Sequence, residues 1–224
     1  MEQPNIIENI SACFHNLPQE EIDYLAAFKT PVNFAKGETI FKQGAFAPHV
    51  LFVIKGNVII YRQIGKKRIN IRMARLGDYI SLSSIFNNNT YQYSAVSLHD
   101  SIVCMIDKEA LRRVIMRNPD FAWQIISQND IIEHRYLDII NNVSYKQMRG
   151  KLASAILYLA GEEFRNDDIF QYLTRQDLAD FASITVESTV KFLKEFENDG
   201  LISLDGKNIK INNFQGLTEI SIKG

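Results

Sequence analysis

Residues 174–211 read TRQDLADFASITVESTVKFLKEFENDGLISLDGKNIKI, and they decide the fold. Thr174 and Asp177 stand at capping-box spacing, so a helix starts there and runs to about Phe181. Ser183 and Ile184 make a turn. Thr185 is a second N-cap candidate, and a helix follows to about Asn198. Its apolar positions Phe192, Leu193 and Phe196 fall at helical spacing, with Thr189 one turn before them. Gly200 supplies the stop after that helix. Residues 201–204 and 208–211 then read as strands around an Asp205-Gly206 turn, a strong hairpin signal. Helix, tight turn, helix and small β wing make a winged helix-turn-helix, an arrangement used mainly to read DNA.

The face this core leaves free is polar. Glu187, Lys191 and Lys194 or Glu195 share one stripe, flanked by Ser188. Such a helix can meet base edges, while Lys207 and Lys210 on the wing can meet phosphates. A solvated charged face on a helix packed for other reasons is the competing reading. Charge speaks against bulk attraction: the net charge is −1 and the pI about 6.4. Seven acids face five bases between residues 174 and 211. DNA affinity must then come from placement, and from two copies acting together.

A chain of 224 residues, 46% of them hydrophobic, can bury a sizeable core in one or two domains. It has no apolar run long enough to span a membrane and no signal-peptide pattern near Met1, so the expected location is the cytoplasm. Cys13 and Cys104 have no CxxC companion, which suits thiols in a reducing compartment. His15, His49, His99 and His134 show no metal-ligand spacing, so no metal site is expected. No nucleophile–base pair or phosphate-cradling glycine loop marks an enzyme.

Residues 5–30 look helical, with Ile6, Ile7, Ile10, Phe14, Ile22, Leu25 and Phe28 as apolar positions and a break near Pro18. From Pro31 short β-type runs take over: Phe34, 40–41, 50–54, 58–61, Ile69/Ile71/Met73, 95–96 and 102–106. Glycines punctuate them, and residues 64–67 read as a hairpin tip. The spacing indicates a compact antiparallel barrel, roll or sandwich. A short helix over 108–117 stops at Asn118-Pro119. A long helix, about 120–143, carries Ile125, Asn129, Ile132, Tyr136, Ile139 and Val143 at 4-3-4-3-4 spacing. That seam, with one Asn within it, suits a two-stranded coiled coil and predicts a parallel homodimer. Ser144 and Gln147 suggest a fresh capping box and hence a hinge. A further helix runs through Leu152, Ala155, Ile156 and Leu159, and residues 169–173 could form a strand.

The chain is therefore read as α+β in three parts. These are a β-roll sensor with flanking helices (1–118), a dimerisation helix and hinge (119–146), and a C-terminal winged helix (147–224). It resembles the cyclic-AMP receptor / fumarate-nitrate regulator (CRP/FNR) family of bacterial transcription factors over nearly its whole length. The resemblance rests on Lys36-Gly-Glu-x-Ile-Phe-x-Gln-Gly44, Lys55-Gly-x-Val58, residues 76–80, 173–179 and 185–193. It implies a cytoplasmic dimer with a cyclic-nucleotide-binding-like roll, an inverted-repeat DNA site and RNA polymerase as a further partner. The DNA-contacting positions it implies are Thr174, Arg175, Val186, Glu187, Ser188, Val190, Lys191 and Lys207. Glu187 and Lys191 would read bases. The effector pocket would be lined by Leu82, Ser83, Tyr93, Ser94, Tyr136 and Leu137.

The departures concern the signal. Cyclic-nucleotide sensors of the family carry Gly-Glu-Leu and Arg-Ser-Ala around the phosphate; here Ser81-Leu82-Ser83 and Tyr93-Ser94-Ala95 stand instead. Both charged groups are gone, so cyclic AMP is not the expected effector, and the pocket is open to filling by its own side chains. The iron–sulfur branch has an N-terminal cysteine cluster, and only Cys13 lies there. No cofactor is assigned. A DNA-binding regulator is the leading reading. A ligand-binding module whose winged helix serves protein contacts is the second, and an enzyme the last.

Overall fold

The computed structural model describes Phe14 and residues 17–86 and 89–224, with only the backbone at Ile131. Ile6, Ile7, Ile10, Cys13 and His15 lie outside the described residues. The chain forms two compact units. One comprises the chain up to residue 63 together with 73–133, and the other comprises 64–72 and 134–224.

The first unit holds α1 (Gln19–Ala26), β1 (Lys29–Phe34), β2 (Thr39–Phe41), β3 (His49–Lys55), β4 (Val58–Ile64), β5 (Lys67–Ala74), β6 (Tyr79–Ile80), β7 (Ser94–Ser97), β8 (Ser101–Asp107), α2 (Lys108–Arg117) and the start of α3 (Pro119–Tyr145). The tip of the β4–β5 hairpin belongs to the second unit. Two antiparallel four-stranded sheets, ordered β1-β8-β3-β6 and β2-β7-β4-β5, make the expected roll. The uninterrupted apolar run of β3 has a physical cause: both faces of the strand are buried. Val50, Phe52 and Ile54 pack with Leu25, Leu111, Val114, Phe121 and Ile125 from the helices. Leu51 and Val53 pack with Val58, Ile60 and Ala95 of the other sheet. Gly56 turns β3 into β4 at φ 87°, where a Cβ would strike the Ser101 side chain. Asp107 caps α2 by accepting from the Glu109 and Ala110 N–H groups at 3.0 and 2.9 Å.

The second unit holds the rest of α3, then α4 (Met148–Leu159), α5 (Arg175–Ala182), α6 (Val186–Asn198), β9 (Ile202–Asp205), β10 (Asn208–Ile211) and α7 (Phe214–Lys223). Three expectations are corrected here. Ser144 does not start a helix: α3 runs on to Tyr145, and α4 begins after Gln147, whose side chain makes no cap bond. Lysines hold that break. Lys151 Nζ donates to the Val143 carbonyl at 3.0 Å, and Lys146 Nζ donates to Ser154 Oγ at 2.8 Å and Ser221 Oγ at 3.2 Å. Residues 169–171 form a 3-10 turn, not a strand, entered through Asp168 in the left-handed region at φ 45°. The wing loop is Gly206-Lys207, one residue later than expected, because Asp205 pairs with Asn208.

One position of the α3 seam is also corrected. Ile125 is only 3% exposed and belongs to the core of its own unit, so it is not available to a partner helix. Ile132 and Ile139 are half-buried, while Asn129, Tyr136 and Val143 are exposed. Trp123, Ile126, Leu137, Ile140 and Tyr145 are the more exposed large apolar side chains of α3, each above half.

Candidate nucleic-acid interface

The reader is built on two caps. Thr174 Oγ1 accepts from the Asp177 N–H at 3.0 Å, and the Asp177 carboxylate accepts from the Thr174 N–H at 2.9 Å, the capping box expected from the sequence. Ser183, left-handed at φ 55°, makes the tight turn out of α5. Thr185 caps α6 by accepting from the Ser188 N–H at 3.2 Å. Thr189 is fully buried, and its hydroxyl is satisfied by the Thr185 carbonyl at 3.0 Å. Thr189, Leu193 and Phe196 bury one face of α6, which leaves Glu187, Val190, Lys191 and Lys194 exposed on the other.

The wing is fastened from both sides. Arg175 donates to the Gly206 carbonyl at 2.9 Å and to the Lys207 carbonyl at 3.1 Å. Burial lowers the pKa of that guanidinium. Glu197 accepts from the Leu204 N–H at 3.2 Å and from Lys194 Nζ at 2.8 Å. Arg175 thus carries the wing as well as standing at the start of α5. Lys207 is exposed at the wing tip. Val186 and Ser188 are half-buried, and the Ser188 hydroxyl accepts from Thr185 Oγ1 at 3.2 Å and lies 3.7 Å from Met148 Sδ.

Two charges on the free face are poised for exchange. The Glu187 carboxylate is fully exposed and held below its ordinary range by its own backbone N–H and the Thr185 hydroxyl. Lys191 Nζ lies 3.9 Å from Glu195, an exposed i,i+4 pair. Such pairs contribute about 0–1 kcal/mol, so Lys191 leaves Glu195 for a stronger anion at little cost. Arg149, which the sequence did not single out, draws Glu195 and Asp199 toward α4.

In the roll, the side chains expected to line an effector pocket bond to their own surroundings. Ser81 sits at φ 66°, and its N–H donates to the Tyr93 hydroxyl at 2.7 Å. Tyr93 leans on Phe41, which stacks on Tyr91 with centroids 4.2 Å apart. Tyr91 donates to the His49 carbonyl at 3.4 Å, and burial raises its pKa. Ser94 Oγ accepts from the Gln43 N–H at 2.9 Å. Leu82 is buried in the core, and Ser83 is exposed. Tyr136 and Leu137 belong to the second unit, where Arg72 opposes the burial that raises the Tyr136 pKa. The Cys104 thiol is buried and pushed up to about 11, which makes it a poor nucleophile. Among the described residues no group of His, Cys, Asp and Glu could hold a metal. No helix among them is long and apolar enough to cross a membrane.

Such a roll joined to such a reader defines a two-domain transcription regulator, and the comparisons agree. Residues 31–118 match the cyclic nucleotide-binding domain family, and residues 150–220 match the Crp-like helix-turn-helix domain family. The chain is 25% identical over 214 residues to the CRP-like cAMP-activated global transcriptional regulator of Mycobacterium tuberculosis, covering 91% of this chain and 93% of that one. It is 25% identical over 209 residues to the fumarate and nitrate reduction regulatory protein of Escherichia coli, covering 90% and 82%. Its fold matches FixK2 from Bradyrhizobium japonicum, at TM-score 0.77 and 18% identity over 86% of this chain and 96% of that one. It also matches a CooA mutant from Carboxydothermus hydrogenoformans, at TM-score 0.74 and 15% identity over 99% and 97%. The chain belongs to the CRP/FNR family of DNA-binding transcription regulators.

Proposed function

We propose that the chain acts in the cytoplasm as a homodimer that binds an inverted repeat, with α6 of each copy in a major groove. The division into sensor (1–118), dimer helix and hinge (119–146) and reader (147–224) describes how the work is shared. The observation that carries this reading is the free stripe of α6, Glu187 to Lys191, beside the exposed Lys207 of the wing. Glu187 can accept from cytosine N4, and Lys191 can donate to guanine O6 or N7. Val190, 48% exposed, suits a thymine methyl. The two half-sites lie one helical turn apart, about 34 Å. Glu187→Ala relaxes preference at one cytosine position per half-site, by about 1–3 kcal/mol. Selection from random duplexes with wild type and variant tests it; an unchanged motif means that α6 docks differently. A wild type that shifts no duplex in a gel would favour protein contacts for the winged helix.

Dimerisation runs through α3. Ile126, Asn129, Glu133, Tyr136, Ile140 and Val143 follow a 3-4-3-4-3 spacing, and all six are exposed in the single chain. This seam takes the place of the one read from the sequence and keeps its Asn129, Tyr136 and Val143.

Cyclic AMP is not the effector. The cyclic phosphate would meet Tyr93 where the family's sensors have arginine, losing a charge-assisted bond of about 1.5–3 kcal/mol. It would also have to displace the Tyr93 hydroxyl from the Ser81 N–H. Calorimetric titration with cyclic AMP should show no micromolar binding; saturable heat at that concentration would overturn the assignment.

A further inference from the structure

We propose that the tip of the β4–β5 hairpin is a second, sequence-independent DNA contact, in which Lys66 and Lys67 grip backbone phosphates beside the first helix of the reader. The proposal rests on the reading of α6 and the wing as the DNA face, and extends that face to a segment more than a hundred residues away in the chain.

The tip is fastened to α5. Arg68 Nε lies 3.4 Å from the Asp180 carboxylate, and its Nη2 lies 3.9 Å from that of Asp177. Asn70, fully buried, donates to the Asp177 carbonyl at 3.1 Å and accepts from Arg68 Nε at 2.9 Å. Arg135 Nε donates to the Ile71 carbonyl at 3.2 Å, with its guanidinium carbon 3.6 Å from the Tyr158 ring centroid. Asp180 is 6% exposed; its burial favours the neutral acid, and Gln176 and Arg68 act against that. The anchor therefore holds the hairpin end in one place on the reader.

The anchor also fixes what lies beyond it. Lys67 and Lys66 precede Arg68 by one and two residues, about 3 and 7 Å of strand. Asp177 lies about 4.5 Å along the α5 axis from Thr174. That end of α5 carries the positive end of the helix dipole, partly offset by the capping Asp177 carboxylate. Both lysines are exposed, and neither side chain has a hydrogen bond or ion pair among the described residues. Arg68 meets both aspartates, so with Lys66 and Lys67 this corner carries three bases against two acids.

Charge complementarity selects DNA as the occupant. Residues 64–72, which belong to the same unit as the reader, contain four bases (Lys66, Lys67, Arg68 and Arg72) and no acid. The reader they adjoin has more acids than bases between residues 174 and 211. The hairpin thus brings in the positive charge that the winged helix lacks, next to a surface that must approach a polyanion.

The test compares full-length wild type with Lys66→Ala/Lys67→Ala and with Lys42→Ala/Lys55→Ala, a control with the same charge change at exposed roll positions. Affinity is read by fluorescence anisotropy against salt, on the selected site and on a random duplex. The tip variant should weaken both duplexes by the same factor, about tenfold near 0.1 M salt. The dependence of log K on log salt should become shallower by about 0.9 for each phosphate no longer neutralised. The control should match wild type. A tip variant that behaves like the control overturns the proposal, and so does one that lowers transcription while leaving affinity and salt slope intact, since that marks a protein contact. The base-reading proposal stands or falls separately on Glu187→Ala: an unchanged motif there removes α6 as reader, while the salt slopes still report on the tip.

Discussion

Ile140→Asp is expected to give a monomer that binds its duplex site about a hundredfold more weakly than wild type. Ile140 is 56% exposed in the single chain, so the substitution costs the fold of one copy little. In the twin helix it replaces an apolar contact beside Tyr136 and Val143 by a second carboxylate in a seam that already holds Glu133, each opposite its own symmetry mate. Each large side chain fully buried there contributes about 1.5–3 kcal/mol before association costs. An unpaired charge at the same place costs more than that contact provides. Linked readers gain about 10²–10⁴ in avidity over single ones, and a monomer forfeits it. Sedimentation at micromolar concentration decides the matter: a monomeric wild type, or a variant that stays dimeric, removes α3 as the interface.

Phe196→Ala is expected to destabilise the second unit by about 3–5 kcal/mol, the range for a buried aromatic cut to alanine. Phe196 is fully buried, on the inner face of α6 just before Gly200 and the wing, and Arg149 covers its ring at 5.5 Å. The cavity would sit under the helix that presents Glu187 and Lys191, so DNA binding should fall with stability. The chain has two units, and unfolding should be followed by probes in each, because a single transition cannot be assumed. A loss below about 1 kcal/mol in urea would show that the site repacks and that Phe196 is not the support of α6.

What the residues disclosed in advance was local. The Thr174–Asp177 box, the Thr185 cap, the Gly200 stop and the apolar run 50–54 each encode structure within a few positions, and each was readable. Helix α7 was not, because Gly216 interrupts it. A Cβ there would meet Leu201 Cδ2 at 2.6 Å, so the end of that side chain would have to shift. Asn213, whose side chain accepts from the Gly216 N–H at 2.9 Å, was the available signal. Ile125 was placed in the seam of α3 because periodicity cannot tell a side chain wanted by a twin from one wanted at home, and Ile125 is wanted at home. Contacts such as Arg68 with Asp180 join distant parts of the chain, and no spacing rule reaches them. The exchange of arginine for Tyr93 could be read as a lost charge, but not as a hydroxyl resting on the Ser81 amide.

The hairpin tip has a consequence for how such regulators are recombined. The second unit is not one stretch of chain: it takes residues 64–72 from within the roll as well as everything after residue 133. A reader cut out at the hinge and grafted to a foreign sensor would leave Arg68 and Asn70 behind. Asp180 would then lose its ion-pair partner, and the Asp177 carbonyl would lose a donor. In this chain the hairpin segment must therefore travel with its distant counterpart, and a chimera carrying both segments should outperform one joined at the hinge alone.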